Sequence, residues 1–435
     1  MNDSSCPLGA PVIEYFDHNS PDYGRCRFAW FKAIRDQVGP VFWTPHNGGL
    51  WVVIGWEELT QAAKHWELFS SKGVDARPEP ERHGDLQFKG LFAPPRPTSG
   101  PMLEEDPPDW SRPRKALTPF FTMAAADLWR ERFRELTDAC LDRCIETGRI
   151  DFARDLSAIV PTIFSLELVG VDAQGFEQVS RAFHLTSHMT PDDPGWDAAM
   201  ADLQGMSERI WAAVLAEKDK PAGQRRPGQI GALLDARDKG ADFTDKEIFD
   251  LAILTIAAGI DTTSASLGSV FVILTQRPDL RAQLLSGQAT ISDAFHEFIR
   301  ITTPTSGLCR TATQDTELGG QKIRRGDRVM LCFAAASRDP REFADAEEIV
   351  LDRKPNRHTG FGTGIHRCIG ANYAQVEFEV LLSRVLERMP DFQVDIPRAE
   401  SYENIGIVAG WKAIPATFTP GVRVGVDPKV PGWRF

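Results

Sequence analysis

Apolar residues starting at Thr244 recur around the whole circumference of a helix rather than along one stripe. Leu251, Ile253, Leu254, Ile256 and onward to Leu274, with Pro278 just past the end, predict one helix of roughly 30 residues and ~45 Å. Thr244-Asp-Lys-Glu247 is a capping-box pattern and sets its start. A helix apolar on all sides crosses a protein interior; a membrane span is opposed by Asp261 and the threonines at its centre. That centre reads Ala257-Ala258-Gly259-Ile260-Asp261-Thr262-Thr263. Glycine weakens a helix and a threonine hydroxyl bonds back to the carbonyl four residues earlier, so a local distortion able to hold water is expected here.

A second helical pattern, Ala371, Ala374, Phe378, Leu381, Leu382 and Val385, runs until Pro390. Leu318-Gly319-Gly320-Gln321 followed by Val329-Met330-Leu331 predicts hairpin structure. Trp110 and Arg114, after Asp106-Pro107-Pro108, fall on one face of a helix start. Glu297 and Arg300 are spaced to pair on another helix.

A chain of 435 residues exceeds the usual single-core size, and length alone predicts two or three domains. No Gly/Ser linker, low-complexity run or repeat divides it, however, and Ala93-Pro94-Pro95-Arg96-Pro97 reads as a constrained surface loop. Met1 to Glu14 has neither a basic n-region nor a long apolar run, so no signal peptide or anchor is expected there. Seven cysteines, scattered and odd in number, form no disulfide framework and fit a reducing compartment; the expectation is a cytoplasmic protein. Cys140 and Cys144 lack a matching His/Cys pair and read as helix packing. A net charge of −12 argues against nucleic acid as the main partner.

Candidate chemistry concentrates in Phe361-Gly-Thr-Gly-Ile-His-Arg-Cys-Ile-Gly370. Gly362 and Gly364 let a loop turn sharply and approach a flat cofactor, while Cys368 stands where the following helix directs its unpaired N–H groups. Those dipoles favour an anion, and a coordinated cation removes the thiol proton.

This loop resembles the cysteine-ligand loop of the haem-thiolate monooxygenases, the cytochrome P450 family. Cys368 matches the axial ligand, and Phe361, Gly362, Gly364, His366 and Gly370 fall on the same pattern. The resemblance implies a single domain over 1–435, mainly α with a smaller β region, in which long distal and proximal helices sandwich haem b (iron protoporphyrin IX). Asp261 and Thr262 match the acid and alcohol on the distal side. Reduction of bound O2 needs protons at its outer oxygen; Asp261 would gate them inward and Thr262 would order a water. A buried carboxylate paired with a distant arginine is the competing reading of Asp261. Backbone N–H groups after Cys368 are expected to hydrogen-bond its sulfur.

Trp110, Arg114, Arg310 and His366 match the propionate-binding positions, with Trp110 standing where many soluble bacterial members have His. Glu297 and Arg300 match the family's buried Glu-x-x-Arg pair, a structural element; its third arginine is not fixed between Ala344 and Lys354, where Arg353 is the candidate. By analogy with family substrate-contact regions, the pocket draws on Phe88, Leu91, Phe92, Leu254, Ala257, Ala258, Leu308, Ile407 and Val408, and on the Phe183 to Met206 region. That apolar set implies a small hydrophobic substrate, terpenoid or aromatic, with steroids also open.

The implied activity is insertion of one oxygen atom from O2, typically as hydroxylation, by a monomer receiving electrons from a ferredoxin and an NAD(P)H-dependent ferredoxin reductase. Arg112, Lys115, Arg130 and Arg367 form the expected basic docking patch. A peroxide-driven peroxygenase of the same fold and a non-catalytic haem sensor or carrier are the alternatives; neither needs the Asp261–Thr262 relay.

Overall fold

The long apolar helix spans Asp245–Gln276, 32 residues. The computed structural model describes residues 7, 9–73, 86–93, 100–189, 192–403, 405 and 407–433; the proline loop at 94–97 and positions 1–6 and 8 of the N-terminal segment lie outside them. At its start the Thr244 hydroxyl accepts from the Glu247 amide at 3.1 Å, and the Glu247 carboxylate accepts from the Thr244 amide at 2.8 Å. Two of the helix's otherwise unpaired donors are thereby satisfied. The helix is all-round apolar because it is surrounded by Ile159–Val169, Trp196–Lys218, Gln229–Asp238, Ile291–Thr302 and Ala371–Arg388.

The expected distortion around Gly259 is not a break, since the helix runs through it. Gly259 instead permits close packing: a Cβ there would lie 2.7 Å from Ser165 Oγ on the helix Ile159–Val169. Thr262 does bond back, its hydroxyl donating to the Ala258 carbonyl at 2.8 Å.

A five-stranded sheet stands beside this helical body in the order Val41–Thr44, Leu50–Val53, Arg328–Leu331, Leu308–Ala312, Phe69–Ser70. Leu50–Val53 and Arg328–Leu331 pair in parallel, with Trp51 opposite Val329; the other pairs are antiparallel. Successive side chains point to opposite faces, and both faces are buried. Phe42, Val52, Cys309 and Met330 join one apolar cluster, and Val41, Trp43, Trp51, Val53, Val329 and Leu331 another. The register sets Arg310 opposite Val329 on the strand that borders the site. The predicted hairpin forms between Thr316–Leu318 and Gln321–Ile323, with Gly319 and Gly320 at φ 56° and 77°, as a two-residue turn with both central residues at positive φ requires.

Glu297 and Arg300 are both wholly buried and joined by two bonds of 2.8 Å. Arg300 also donates to the carbonyls of Ser337, Ala346 and Glu348. The structure places Arg353 as the third member, its Nε 3.2 and 3.1 Å from the two Glu297 oxygens, with Asn356 on the same carboxylate. A buried carboxylate so fully bonded is held well below its ordinary range despite desolvation, chiefly by Arg300.

Candidate active site

The loop from Phe361 to Gly370 is fixed by its own backbone. Gly362 N–H donates to Thr359 O at 2.8 Å and Cys368 N–H to Phe361 O at 2.8 Å. Gly362 and Gly364 take φ 65° and 72°, and a Cβ on Gly364 would fall 2.0 Å from the Ala63 carbonyl of the helix Trp56–Lys64. Gly370 is the N-cap of Ala371–Arg388. The amides of Gly370 and Ala371 hydrogen-bond the Cys368 sulfur and, with Arg114 and Arg367, pull the thiol down against the larger upward push of burial. The residue is accessible although it lies deep enough for that push, so it borders an internal cleft. Ala258, at the middle of the central helix, is likewise exposed inside the molecule.

Near the sulfur stand two orphaned donors and two arginines. Trp110, the N-cap residue of Ser111–Leu117, has its ring 6.0 Å from that of His366, and the Arg114 guanidinium lies over the Trp110 ring and donates to the Arg367 carbonyl at 2.8 Å. Trp110 Nε1 and His366 Nε2 are buried with no partner among the described residues. Arg310 is 4% exposed, and its one bond goes to the neighbouring Cys309 carbonyl; burial pulls it down to about 10. Burial first, then Arg310 and Arg114, hold His366 at about 3, so its ring is neutral at physiological pH. Orphaned buried donors are rare and unfavourable. Grouped with two arginines beside a thiol, they fit haem, whose two propionates are the missing acceptors and whose iron takes the sulfur.

On the central helix, Asp261 is 3% exposed. Its partner is not an arginine. Asp261 Oδ1 lies 3.0 Å from His184 Nδ1 and 3.3 Å from the Tyr402 hydroxyl, while Oδ2 is buried without a partner. Burial alone would lower the His184 pKa, but the Asp261 carboxylate outweighs it and the net shift is upward. Sequence reasoning missed His184 and Tyr402: they are 77 and 141 residues from Asp261, and no spacing links them.

The substrate-pocket candidates divide. Ala258 is open and Phe92, Leu254, Ala257, Leu308 and Ile407 are half-buried, as cleft-lining residues are. Leu91 is 1% exposed, its carbonyl accepting from the Cys309 amide, and Phe88 and Val408 are nearly as enclosed; these pack as core. Of the basic patch, Lys115 and Arg367 are exposed with no ion pair among the described residues, whereas Arg112 is tied to Glu247 and Arg130 to Asp127 and Glu379.

With this geometry in hand, comparison with known proteins is informative. The family model described as Cytochrome P450 matches residues 52–407. Mycinamicin IV hydroxylase/epoxidase of Micromonospora griseorubida is 33% identical over 82% of this chain and 86% of its own length. Cytochrome P450 monooxygenase PikC of Streptomyces venezuelae is 29% identical over 96% and 95%. Among solved structures, a Mycobacterium marinum cytochrome P450 in complex with pseudoionone superposes with a TM-score of 0.80 at 23% identity, covering 95% of this chain and all of that one.

Proposed function

Because the chain belongs to the cytochrome P450 family of haem-thiolate monooxygenases, we propose that Cys368 is its axial thiolate and that Trp110, Arg114, Arg310 and His366 hold the propionates. The observation that carries this reading is the cluster of partnerless buried donors around one thiol. When bound, haem supplies an iron that activates O2 for insertion of one atom into substrate. The chain's own part is the rest. The Gly370 and Ala371 amides moderate sulfur donation, and the His366 ring would donate an N–H to a propionate. Thr262 and Asp261 keep and deliver protons at the distal side.

The substrate is a small hydrophobic molecule, terpenoid, aromatic or steroid, hydroxylated above Ala257 and Ala258. The name of the Micromonospora griseorubida relative adds an epoxidation outcome, and mycinamicin IV to the compounds worth screening. Electrons come from a ferredoxin docking near Lys115 and Arg367, and the protein works in the cytoplasm as a monomer.

The test is spectroscopic and then catalytic. Reduced protein under carbon monoxide should display the red-shifted Soret band of a thiolate adduct, and Cys368→Ser should lose it; its absence in the wild type would remove the reading. A panel of terpenoids, aromatics, steroids and mycinamicin IV, screened by ferric spin-state shift, should yield binders oxidised with NADH, surrogate ferredoxin and reductase. Turnover with peroxide alone would favour the peroxygenase, and none under either condition a sensor.

A further inference from the structure

Asp261 carries more surrounding structure than a lone gating carboxylate needs. His184, on the helix Phe176–Thr186, donates Nε2–H to the Trp411 carbonyl at 2.8 Å, which fixes that proton and leaves Nδ1 as the ring's only exchangeable position. Nδ1 has two neighbours, Asp261 Oδ1 at 3.0 Å and the Tyr402 hydroxyl at 2.9 Å, and the hydroxyl also reaches Oδ1 at 3.3 Å. The three groups form a closed triangle. With Nδ1 protonated, it and the Tyr402 hydroxyl both donate to Oδ1. With Nδ1 bare, the same hydroxyl rotates and donates to Nδ1. In both states Nδ1, Oδ1 and the Tyr402 hydroxyl are bonded to one another, and only hydrogens move between them.

The chain segments that carry the triangle border a cleft of about 550 Å³: its lining includes Leu185, Glu403 and Lys412, the immediate chain neighbours of His184, Tyr402 and Trp411, and His188 one helical turn beyond His184. Exposure falls inward, from 16% for the His184 side chain to 4% for that of Asp261.

We propose that His184 and Tyr402 are positioning and proton-relay residues that load Asp261 from this cleft. One proton passes from His184 Nδ1 to Asp261 Oδ1, and Tyr402 turns its hydroxyl onto the bare Nδ1. The neutral Asp261 carboxyl then turns about its Cβ–Cγ bond, which carries the proton from the Oδ1 position to the Oδ2 position, buried with no partner among the described residues, and releases it towards the Thr262 side; water from the cleft returns a proton to Nδ1. Protons alone move, so no electron acceptor is required.

The charged and titratable groups around His184 are Asp261 on the central helix, Tyr402, Arg154 and His188, with Glu403 and Lys412 at the cleft wall. Burial lowers the His184 pKa, Asp261 and the Trp411 carbonyl raise it and Arg154 lowers it, and the net shift at that ring is upward. His188 is held at about 4, so it adds no competing charge there.

This inference rests on the monooxygenase reading, so its test includes a measurement that needs no turnover. In ring-15N-labelled ferrous holoenzyme under carbon monoxide, His184 should titrate above the ordinary histidine range, and Asp261→Asn should bring it below. In NADH consumption with surrogate ferredoxin and reductase, His184→Asn should slow the rate at least about tenfold. It should also enlarge the H2O/D2O rate ratio and abolish the fall in rate as pH rises through the His184 titration, with haem content and the thiolate–carbon monoxide band unchanged. Tyr402→Phe, which keeps the ion pair but removes the rotating hydroxyl, should enlarge the ratio to a smaller extent. An Asp261→Asn variant with an unmoved His184 titration, or a His184→Asn variant with an unchanged isotope ratio and pH profile, would overturn the relay. Neither outcome touches the assignment of Cys368, whose own failure would appear as a missing thiolate band.

Discussion

Glu377 sits on the helix Ala371–Arg388, 2% exposed, with Oε1 unbonded, and burial raises its pKa well above the ordinary 4.5. Folding therefore takes up a proton above pH 4.5: the unfolded chain is ionised there and the folded one is not. Stability should fall by about 1.4 kcal/mol per pH unit from this one group between its unfolded and folded pKa values. Glu377→Gln should remove that slope, so that its urea midpoint relative to the wild type is higher at pH 7 than at pH 5. A second residue-scale prediction concerns Thr262, whose hydroxyl is engaged with Ala258. Thr262→Ala should keep haem and substrate binding but divert reducing equivalents to hydrogen peroxide, lowering product per NADH on the order of tenfold. Undiminished coupling would dismiss the proton-delivery role. At this scale Cys368, Asp261 and Thr262 were legible in sequence because each lies within a contiguous motif. His184, Tyr402 and the closure of Arg353 onto Glu297 were not, since their partners come from other elements.

At the scale of elements, the two long helices and the hairpin followed from local signals: a capping box, apolar periodicity, a Gly-Gly turn and prolines just beyond the ends. The purpose of Gly259 did not follow, because a glycine bent into a helix and a glycine packed against another helix look identical in sequence; only Ser165 at 2.7 Å from the missing Cβ distinguishes them. The ligand loop offers a sharper contrast. Gly362 has positive φ but no protein atom nearer than 3.8 Å to a built Cβ, whereas Gly364 has positive φ and a backbone carbonyl at 2.0 Å. Gly362→Ala should cost about 1–3 kcal/mol of backbone strain. Gly364→Ala should cost that and also force apart the loop and the helix Trp56–Lys64, weakening the thiolate–carbon monoxide band as well as the denaturation midpoint. Equal losses for the two variants would show that the contact with Ala63 does not matter.

For the whole molecule, the placement of charge decides where an electron donor can dock. Arg112 and Arg130 are neutralised by acidic partners, which leaves Lys115 and Arg367 as the available cations near the ligand loop. Replacing both with Gln should slow reduction by an acidic ferredoxin about tenfold at low salt and flatten its ionic-strength dependence, as stopped-flow reduction would report. Arg112→Gln should leave that dependence nearly unchanged, and a large effect from Arg112 with none from the other two would relocate the patch. Spacing within short segments was enough to read the family, the cysteine loop and the central helix with Asp261 and Thr262 at its middle. Tertiary structure alone decided the company each residue keeps: the donors left without acceptors around Cys368, the histidine and tyrosine on Asp261, and which arginines are spent in ion pairs. Such contacts join positions as far apart as Arg130 and Glu379, 249 residues, and local propensity carries no record of them.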